Sequence, residues 1–311
     1  MIVVLAGGIG AARFLEGLAA AMPPEQITVI ANTGDDDQFH GLHVSPDVDT
    51  VLYTLAGVVD RDRGWGIAGD TFHCLDSLSS LGLETWFRLG DRDLATHLIR
   101  TGRLRGGAAL STAIEELRRS LGVRSRVLPM SDDPAPTRLR TASGVLRFQE
   151  YFVKLRQEPE VLEADFSEAS RSRPAPGVLE AIAECDGVIV APSNPILSIG
   201  PILAVPGIRE TLRSTSSRVA AVSPIVGGRA LKGPAARNLA SLGLEVSAAS
   251  VAALYKDFLD VFVLDQQDSA LRQEVERAGM EAVVTQTVMS SPEVRRALAE
   301  TVLEALCGTR P

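Results

Sequence analysis

The amino-acid sequence predicts an α/β fold in which helices cover both faces of a parallel sheet. Three features indicate this fold. Short apolar runs rich in Val and Ile, such as residues 2–5, alternate with segments whose apolar residues have helical spacing. Runs without a polar face are typical of parallel strands that are buried on both sides. Turns rich in glycine or polar residues follow the apolar runs, as they do in βαβ units.

The N-terminal segment contains the first predicted βαβ unit. Residues 2–5 are predicted to form a strand, residues 11–21 a helix and residues 26–31 the next strand. The turn Gly7-Gly8-Ile9-Gly10 joins the first strand to the helix. Glycines let a backbone approach a phosphate, and a helix N-terminus offers unpaired N–H groups to negative charge. The turn therefore predicts a phosphate site, and the alternative is a tight turn without a ligand.

The same alternation returns in the second half of the chain. Further strands are predicted at residues 187–191, 218–225, 260–265 and 282–284, and a closing helix over residues 291–306. Residues 1–60 and 174–311 are therefore predicted to form a Rossmann-like nucleotide-binding core.

The middle of the chain has a different pattern. Residues 61–173 combine helical segments with a predicted hairpin, whose strands are residues 137–141 and 144–148. This segment is predicted to be an insertion of mixed helix and hairpin, rather than more of the parallel sheet.

Aspartates are concentrated just after the second predicted strand. Asp35, Asp36 and Asp37 are consecutive, and Asp47 and Asp49 follow within a dozen residues. Adjacent carboxylates repel one another, and hard cations take oxygen ligands. We therefore predict bound Mg²⁺, with Asp35, Asp36, Asp47 and Asp49 as candidate ligands. The alternatives are a solvated acidic loop for the triplet and helix capping for one residue of the Asp47 and Asp49 pair.

A second group of charges lies inside the predicted insertion. Arg88, Asp91 and Arg92 surround Gly90, just before a predicted helix that carries His97. The density of charge beside a glycine favours a loop that binds an anion or a polar ligand. Surface ion pairs of little energetic value are the alternative. His97 is expected to be a surface or packed residue rather than a ligand.

Polar residues also follow the strand predicted at residues 187–191. Ser193, Asn194, Ser198 and Gly200 lie at its carboxyl end, where hydroxyl and amide groups can hydrogen-bond a nucleotide. The prolines of this segment are expected to exclude a regular helix through most of it. A rigid turn without a ligand is the alternative.

Basic residues follow the strand predicted at residues 218–225. Arg229 and Lys232 stand among three glycines there. Arginine can bind a diphosphate as a fork and lysine as a point charge, so this segment is a candidate diphosphate site.

Composition excludes several classes of protein. The chain has 311 residues and a net charge of −8, so no nucleic-acid surface is expected. Cys74, Cys185 and Cys307 are scattered and lack metal-site spacing, which argues against a disulfide framework or a zinc site. No segment is long and apolar enough to be a signal peptide or to cross a membrane. A cytoplasmic protein is expected.

A set of short motifs is spread, in order, along nearly the whole chain. It includes Gly7-Gly8-Ile9-Gly10, Asn32-Thr33, Ser45-Pro46-Asp47-Val48-Asp49, Leu89-Gly90-Asp91-Arg92-Asp93, Leu128-Pro129-Met130-Ser131-Asp132, Pro192-Ser193-Asn194-Pro195 and Ser198-Ile199-Gly200-Pro201. Together these motifs resemble the 2-phospho-L-lactate transferase family.

The resemblance implies an activity in the biosynthesis of coenzyme F-420. A phospholactyl group, or a phosphoenolpyruvyl or phosphoglyceryl relative, would pass from a guanosine diphosphate-linked donor to the deazaflavin Fo. GMP would be released, F-420-0 or its dehydro form would be produced, and Mg²⁺ would be required. A homodimer is the expected assembly.

The resemblance also implies roles for individual residues. Asp49, which would also be catalytic, and Arg88 would contact Fo, and Asp91 and Arg92 would belong to the same substrate-binding loop. The insertion over residues 61–173 would cover the deazaflavin. The glycine turn Gly7, Gly8, Ile9 and Gly10 and the segment with Ser193 and Asn194 would hold the guanosine nucleotide. The residue patterns described above add Ser198, Gly200 and Arg229 to the predicted nucleotide site.

Two other functions are compatible with a glycine turn at the start of such a fold. One is a non-enzymatic nucleotide-binding regulator of sugar metabolism, and the motifs around Asp49 and Asp91 argue against it. The other is an NAD-dependent dehydrogenase, for which Asp35 has a suitable position but no hydride-transfer site is recognisable.

Overall fold

The structure, a computed structural model, describes residues 1–231 and 233–307. Its strands are β1 (Ile2–Ala6), β2 (Ile27–Ala31), β3 (Asp37–Phe39), β4 (Leu42–Val44), β5 (Arg126–Pro129), β6 (Arg138–Thr141), β7 (Gly144–Arg147), β8 (Glu163–Asp165), β9 (Gly187–Val190), β10 (Val219–Val222), β11 (Ile225–Val226), β12 (Arg229–Ala230), β13 (Val261–Asp265) and β14 (Glu281–Thr285).

Helices connect most of these strands. The α-helices are α1 (Gly8–Ala21), α2 (Pro46–Leu55), α3 (His73–Ser80), α4 (Asp93–Arg105), α5 (Leu110–Ser120), α6 (Ser167–Arg171), α7 (Val178–Glu184), α8 (Gly200–Ala204), α9 (Ile208–Ser214), α10 (Ala235–Ser241), α11 (Ala248–Leu254), α12 (Arg272–Arg277) and α13 (Pro292–Leu306).

A seven-stranded sheet in the order β14-β13-β10-β9-β1-β2-β5 forms the centre of the fold, and all neighbouring strands in it are parallel. The chain builds outward from β1 in both directions, first through β2 and β5 and later through β9, β10, β13 and β14. The strand order therefore reverses between β1 and β9. In open α/β sheets, ligands bind outside the carboxyl ends of the strands at such a switch point.

Helices cover both faces of this sheet, so the predicted fold class is confirmed. Successive side chains of a strand point to opposite faces. In β1, Val3 and Leu5 join a core with α7 and α9, whereas Ile2, Val4 and Ala6 join a core with α1, α2 and α13. No helix within the described ranges has the length and apolar character needed to cross a membrane.

Strand β5 corrects one sequence prediction. Residues 61–173 were predicted to add nothing to the parallel sheet, but Arg126–Pro129 pairs with β2 as its edge strand. The prediction was wrong because an edge strand needs no long apolar run: β5 has only four residues and begins with the exposed Arg126. The helix α5 that precedes β5 contributes Leu110, Ile114 and Leu117 to the core of α1 and α2.

The segment after β9 is more helical than its prolines predicted. Residues Pro195–Ile199 form a π-type helical turn, and α8 follows directly. Pro195 and Pro201 both stand in the first turn of their segment. A proline is tolerated there because the first N–H groups of a helix have no intrahelical partner.

A small antiparallel sheet from the middle of the chain covers the carboxyl edge of the main sheet near β2. Its strands have the order β7-β6-β8, which confirms the predicted hairpin. The segment after β7 anchors it to the acidic turn. Arg147 Nη1 lies 3.0 Å from Asp37 Oδ1, and Gln149 Nε2 donates to the Asp35 carbonyl oxygen at 2.9 Å.

The close approach of two turns at the switch point can be tested with Gly10→Ala. A Cβ at residue 10 would overlap the carbonyl oxygen of Pro192. We expect the variant to unfold at lower denaturant concentration, with a loss of about 1–3 kcal/mol from overpacking. The control is Gly102→Ala in α4, where a Cβ would meet open space. That change is expected to be neutral or stabilising, and an equal loss in both variants would contradict the assignment.

Candidate active site

A cavity of about 640 Å³ lies at the carboxyl edge of the sheet, at the switch point. The turns after β1, β9, β10 and β14 contribute to its wall, together with α2. The remaining wall comes from the middle of the chain, notably Trp86, Phe87 and Phe152. The predicted site residues that line the cavity are Gly7, Gly8, Ile9, Gly10, Asp35, Asp47, Asp49, Arg88, Ser193, Asn194 and Ser198.

The glycine turn is packed tightly against α2. Gly8 has a φ of 74°, a conformation that favours glycine, and its N–H donates to Asp47 Oδ1 at 2.7 Å. Asn32 Nδ2 donates to the other oxygen of Asp47 at 2.9 Å. A Cβ at residue 7 would lie 2.7 Å from Asp47 Oδ2 and 2.8 Å from Ser198 Cβ. The Gly8 N–H, which was expected to meet a phosphate, is therefore already bound to Asp47. The N–H groups of Ile9 and Gly10, at the N-terminus of α1, are still available, and both residues line the cavity.

Burial and mutual repulsion shift the acidic groups beside this turn. Burial, then the charges of Asp47 and Asp36, raise the pKa of Asp35 well above its usual range. Burial raises the pKa of Asp47 to about 6, against the hydrogen bonds from Asn32 and Gly8. Asp35 Oδ1 is buried and has no hydrogen-bond partner within residues 1–231 and 233–307. These carboxylates are therefore poorly compensated by the protein itself.

Asp49 has a different environment, although it is only two residues from Asp47. Its two oxygens face the guanidinium of Arg100, with Nη1 at 3.0 Å from Oδ2 and Nη2 paired with Oδ1. Arg100 is fully buried, and Asp49 is 4% exposed. His97 and Tyr53 line the cavity beside Asp49.

Aromatic side chains form the wall contributed by the middle of the chain. Phe87 stacks on Phe39 with ring centroids 3.9 Å apart, and the Trp86 ring meets Phe39 edge-on. Phe148 and Phe152 form a second stacked pair at 5.5 Å. This end of the cavity can accommodate a flat ring system.

The exposed guanidinium of Arg88 lies beside this aromatic wall. It stands 4.1 Å from the ring centroid of Phe72, in a cation–π contact. It also lines the cavity, as predicted.

The turn after β9 supplies small polar groups to the cavity lining. Asn194 Oδ1 accepts from the N–H groups of Ile196 and Leu197 at 3.0 and 3.1 Å, so it caps the following helical turn. Ser193 Oγ is buried and lacks a hydrogen-bond partner among the described residues. Ser193 therefore has an unused hydroxyl at the cavity, whereas the carbonyl group of Asn194 has a structural role.

Asp91 and Arg92 do not line the cavity, although both were predicted to bind substrate. The carboxylate of Asp91 accepts from Thr71 Oγ1 at 2.6 Å and from the N–H groups of His73 and Cys74 at 2.9 Å, so it caps α3. Arg92 is exposed, and its Nη1 donates to the carbonyl oxygen of Ala68 at 3.1 Å. Both residues hold together the loop that presents Arg88.

Three further predicted residues also lie outside the cavity lining. Asp36 accepts from Ser45 Oγ and meets His43 Nε2, each at 2.9 Å. Gly200 packs beside the ring of Phe166. Arg229 is exposed on β12, and Lys232 lies outside the described residues.

Arg13 lines the cavity and was missed by the sequence analysis. This half-buried residue follows the glycine turn by about one helical turn, and no carboxylate in the described part of the chain forms an ion pair with it. Burial and the nearby charge of Arg295 lower the pKa of Arg13, while Glu16 opposes them. A cation in this situation suits an anionic ligand, and its spacing from the glycines was the available signal.

The fold and the cavity together define a Rossmann-like α/β protein with a cavity at its switch point. The family model described as 2-phospho-L-lactate transferase CofD matches residues 2–305. The chain therefore belongs to the CofD family, and it is a transferase, as the sequence predicted.

Individual relatives agree with this assignment. The chain is 43% identical over 303 residues to the 2-phospho-L-lactate transferase of Methanosarcina mazei, with 97% of this chain and 99% of that protein covered. It is 45% identical over 309 residues to the phosphoenolpyruvate transferase of Streptomyces griseus, with 97% of each covered.

Solved structures share the fold at much lower identity. Two crystal structures of protein BH3568 from Bacillus halodurans, described as a member of the UPF0052 family, give TM-scores of 0.66 and 0.67 at 16% and 18% identity. Each comparison covers 97% of this chain and 98% of the other.

The raised carboxyl pKa values predict how stability depends on pH in metal-free buffer. The folded protein holds these protons more tightly than the unfolded chain, so the stability that these carboxyl groups contribute is fully present below the ordinary pKa of 3.8 and is lost as the pH rises through their folded-state pKa values, about 6 for Asp47. We expect Asp35→Asn, which removes one repelling charge, to unfold at higher denaturant concentration than the unmodified protein at neutral pH. The gain should be on the order of 1 kcal/mol and should vanish near about pH 4.

The control for this measurement is Asp62→Asn, because Asp62 is exposed. It should leave the pH profile of the unfolding free energy unchanged. If Asp35→Asn instead has a lower free energy of unfolding than the unmodified protein at neutral pH, the protein does compensate the charge of the Asp35 carboxylate.

Proposed function

We propose that this transferase moves a phospholactyl group, or a phosphoenolpyruvyl or phosphoglyceryl relative, from a guanosine diphosphate-linked donor to the deazaflavin Fo. GMP is the leaving group, and the product is F-420-0 or its dehydro form. The observation that carries the proposal is a single cavity with the glycine turn at one wall, Asp49 beside it, and an aromatic wall contributed by the middle of the chain.

The donor binds along the carboxyl edge of the sheet. The N–H groups of Ile9 and Gly10 and the guanidinium of Arg13 face the negative charge of the diphosphate. The unused hydroxyl of Ser193, in the neighbouring turn after β9, offers a further hydrogen bond. Arg229 is not part of this proposal, since it stands outside the cavity lining.

The acceptor binds at the aromatic end. The tricyclic ring of Fo stacks among Trp86, Phe87 and Phe152, and Arg88 lies over its edge. The ribityl chain then reaches Asp49, whose carboxylate accepts a hydrogen bond from the attacking hydroxyl. Because Asp49 is paired with Arg100, it serves as a fixed hydrogen-bond acceptor rather than a strong base.

The residues present fit a bound Mg²⁺ in part. Within the described ranges, no group of three or more His, Cys, Asp or Glu side chains is arranged to hold a metal ion. Mg²⁺ commonly uses one or two carboxylates together with substrate phosphates and water. Asp35 and Asp47 satisfy that smaller requirement, since both line the cavity and Asp35 Oδ1 has no partner among the described residues.

The other two predicted ligands suit the ion less well, because Asp36 lies outside the cavity lining and both oxygens of Asp49 are paired with Arg100. When bound, Mg²⁺ neutralises phosphate charge that grows during the transfer.

The proposed reaction changes bonds of the donor and the acceptor, and the protein needs to supply little covalent chemistry. The acceptor hydroxyl forms a bond to the phosphorus that carries the three-carbon acid, and the bond from that phosphorus to the bridging oxygen breaks. The electron pair leaves with GMP, and the hydroxyl proton, oriented by its hydrogen bond to Asp49, passes to water as the new bond forms. Positioning and charge stabilisation by Arg13 and the α1 N-terminus supply most of the rate. The homodimer and the cytoplasmic location remain predictions from the sequence.

Incubation of the purified protein with Fo, the guanosine diphosphate-linked donor and Mg²⁺ tests the proposal. GMP and a heavier deazaflavin product are expected in equal amounts, by chromatography and mass spectrometry. Asp49→Asn should lower the transfer rate by about 100-fold or more, because the charged acceptor for the attacking hydroxyl is lost.

The matched control is Asp186→Asn, since Asp186 precedes β9 at the opposite, amino edge of the sheet. It should keep the full rate. Near-normal transfer by Asp49→Asn would remove Asp49 from the mechanism, and the absence of GMP and product with the unmodified protein would overturn the proposed reaction.

A thermal-unfolding experiment tests the metal separately from activity. With GDP present, Mg²⁺ should raise the Tm of the unmodified protein, because a ligand that binds only the folded state stabilises it. The shift should largely disappear in Asp35→Asn and persist in Asp62→Asn. An equal Mg²⁺-induced shift in all three proteins would exclude Asp35 as a ligand.

A further inference from the structure

A chain of buried polar side chains extends away from Asp49, between α2 and α4. Asp49 and Tyr53 are four residues apart on α2, and Asp93, His97 and Arg100 lie on one face of α4. All five side chains are nearly inaccessible, with exposures of 0% for Arg100, 1% for Tyr53 and His97, 4% for Asp49 and 6% for Asp93. Four of them line the cavity, and Arg100 lies behind Asp49.

The contacts along this chain fix the state of His97. Arg100 Nη1 lies 3.4 Å from His97 Nδ1, and an arginine can only donate. Nδ1 is therefore the acceptor, and the ring proton of neutral His97 is on Nε2. Nε2 lies 3.2 Å from Asp93 Oδ1, off the ideal hydrogen-bond direction. The imidazole thus connects the Arg100 guanidinium to the Asp93 carboxylate.

Asp93 also receives the hydroxyl of Tyr53. Tyr53 Oη donates to Asp93 Oδ1 at 2.6 Å. Burial alone would raise the pKa of Asp93, but the contacts with His97 and Tyr53 and the charge of Arg100 outweigh it and lower that pKa. Asp93 therefore stays anionic at the far end of the chain.

Packing of α2 does not require this polar chain. Val48, Val51 and Leu52 of α2 are fully buried in the core with α1, and Asp47 anchors the start of the helix to Gly8 and Asn32. A buried ion pair adds little net stability compared with apolar residues of similar size. The retained polar groups are better explained by their effect on Asp49, whose two carboxylate oxygens are both paired with Arg100 at the cavity wall.

We propose that Tyr53, Asp93, His97 and Arg100 are positioning residues that hold the Asp49 carboxylate towards the acceptor hydroxyl. The inference rests on the proposed function only in taking Asp49 to meet the acceptor. Arg100 pairs with both oxygens of Asp49. The contact with His97 orients the Arg100 guanidinium. Asp93, which is itself held by the Tyr53 hydroxyl, orients the His97 ring. Loss of any of these contacts would let the Asp49 carboxylate rotate away from the acceptor hydroxyl.

Two substitutions at residue 97 separate the contacts of the imidazole. In His97→Asn, the amide oxygen can replace Nδ1 as the acceptor from Arg100, whereas in His97→Gln the amide nitrogen can replace Nε2 as the donor to Asp93. Tyr53→Phe removes only the hydroxyl. We expect Tyr53→Phe and His97→Gln to lower kcat/KM for Fo about tenfold, with the KM for the donor unchanged. His97→Asn should lose less, because it keeps the contact with Arg100.

The matched control is Tyr151→Phe. Tyr151 is also fully buried, and its hydroxyl donates to Asn238 Oδ1 at 3.2 Å without contacting the chain between α2 and α4. It should retain the full kcat/KM. The decisive readout is coupling: in an Asp49→Asn background, Tyr53→Phe and His97→Gln should change neither the residual rate nor the Kd for Fo, measured by fluorescence titration.

Several results would overturn the inference. If Tyr53→Phe and His97→Gln lower the residual rate of Asp49→Asn by the same factor as in the unmodified protein, the polar chain acts independently of Asp49. If these variants raise the KM for the donor as much as they lower kcat/KM for Fo, they cause a general structural defect. Full activity of Tyr53→Phe and His97→Gln alongside an inactive Asp49→Asn would reject the inference while leaving the proposed function intact. Full activity of Asp49→Asn would reject the role of Asp49 itself, and the inference with it.

Discussion

The contact between Asp47 and the glycine turn determines how the rest of the cavity is arranged. One carboxylate accepts from Gly8, at the start of α1, and from Asn32, at the end of β2, so it joins α2 to two neighbouring strands of the sheet. A Cβ at residue 7 would leave no room for this approach. Burying the carboxylate is unfavourable, as its pKa of about 6 indicates, and the two hydrogen bonds compensate only in part. Once α2 is fixed in this way, Asp49 faces Arg100 and His97 of α4.

Charge is distributed unevenly around the cavity. Asp35 and Asp47 stand together and repel each other, while Arg13 and the N-terminus of α1 present positive potential nearby. In the proposed reaction the diphosphate of the donor faces Arg13 and the N-terminus of α1. Mg²⁺ compensates the negative charge of Asp35 and Asp47. Asp49 adds no uncompensated charge to the cavity, because Arg100 neutralises its carboxylate within the protein. Two carboxylates on one helix turn can thus have different functions.

The sequence was informative where the structure is local. The first βαβ unit, the hairpin of β6 and β7 and the strands β9 and β13 all follow from runs of apolar residues or from turn residues close by in the chain. The structural position of Asp91 could not be predicted, because a carboxylate that caps α3 and one that binds a ligand have the same sequence pattern. Arg100 was missed because Asp49 is 51 residues away, and no spacing rule connects two helices at that distance. The polar face formed by Asp93, His97 and Arg100 was nevertheless visible as a helical repeat.

The low identity of the Bacillus halodurans structures indicates which part of the chain specifies the fold and which part specifies chemistry. At 16% and 18% identity the architecture is retained over 97% of the chain, so it can depend only on features that many sequences supply, such as buried apolar strands and glycine turns. Such features form a cavity at the switch point without deciding what reacts in it. In the proposed function the deciding groups are few and lie on the helices beside the sheet: Asp47 and Asp49 on α2, and the face of α4 that Asp49 meets. A substitution on those faces can therefore change the activity while the sheet, and any comparison based on its shape, stays the same.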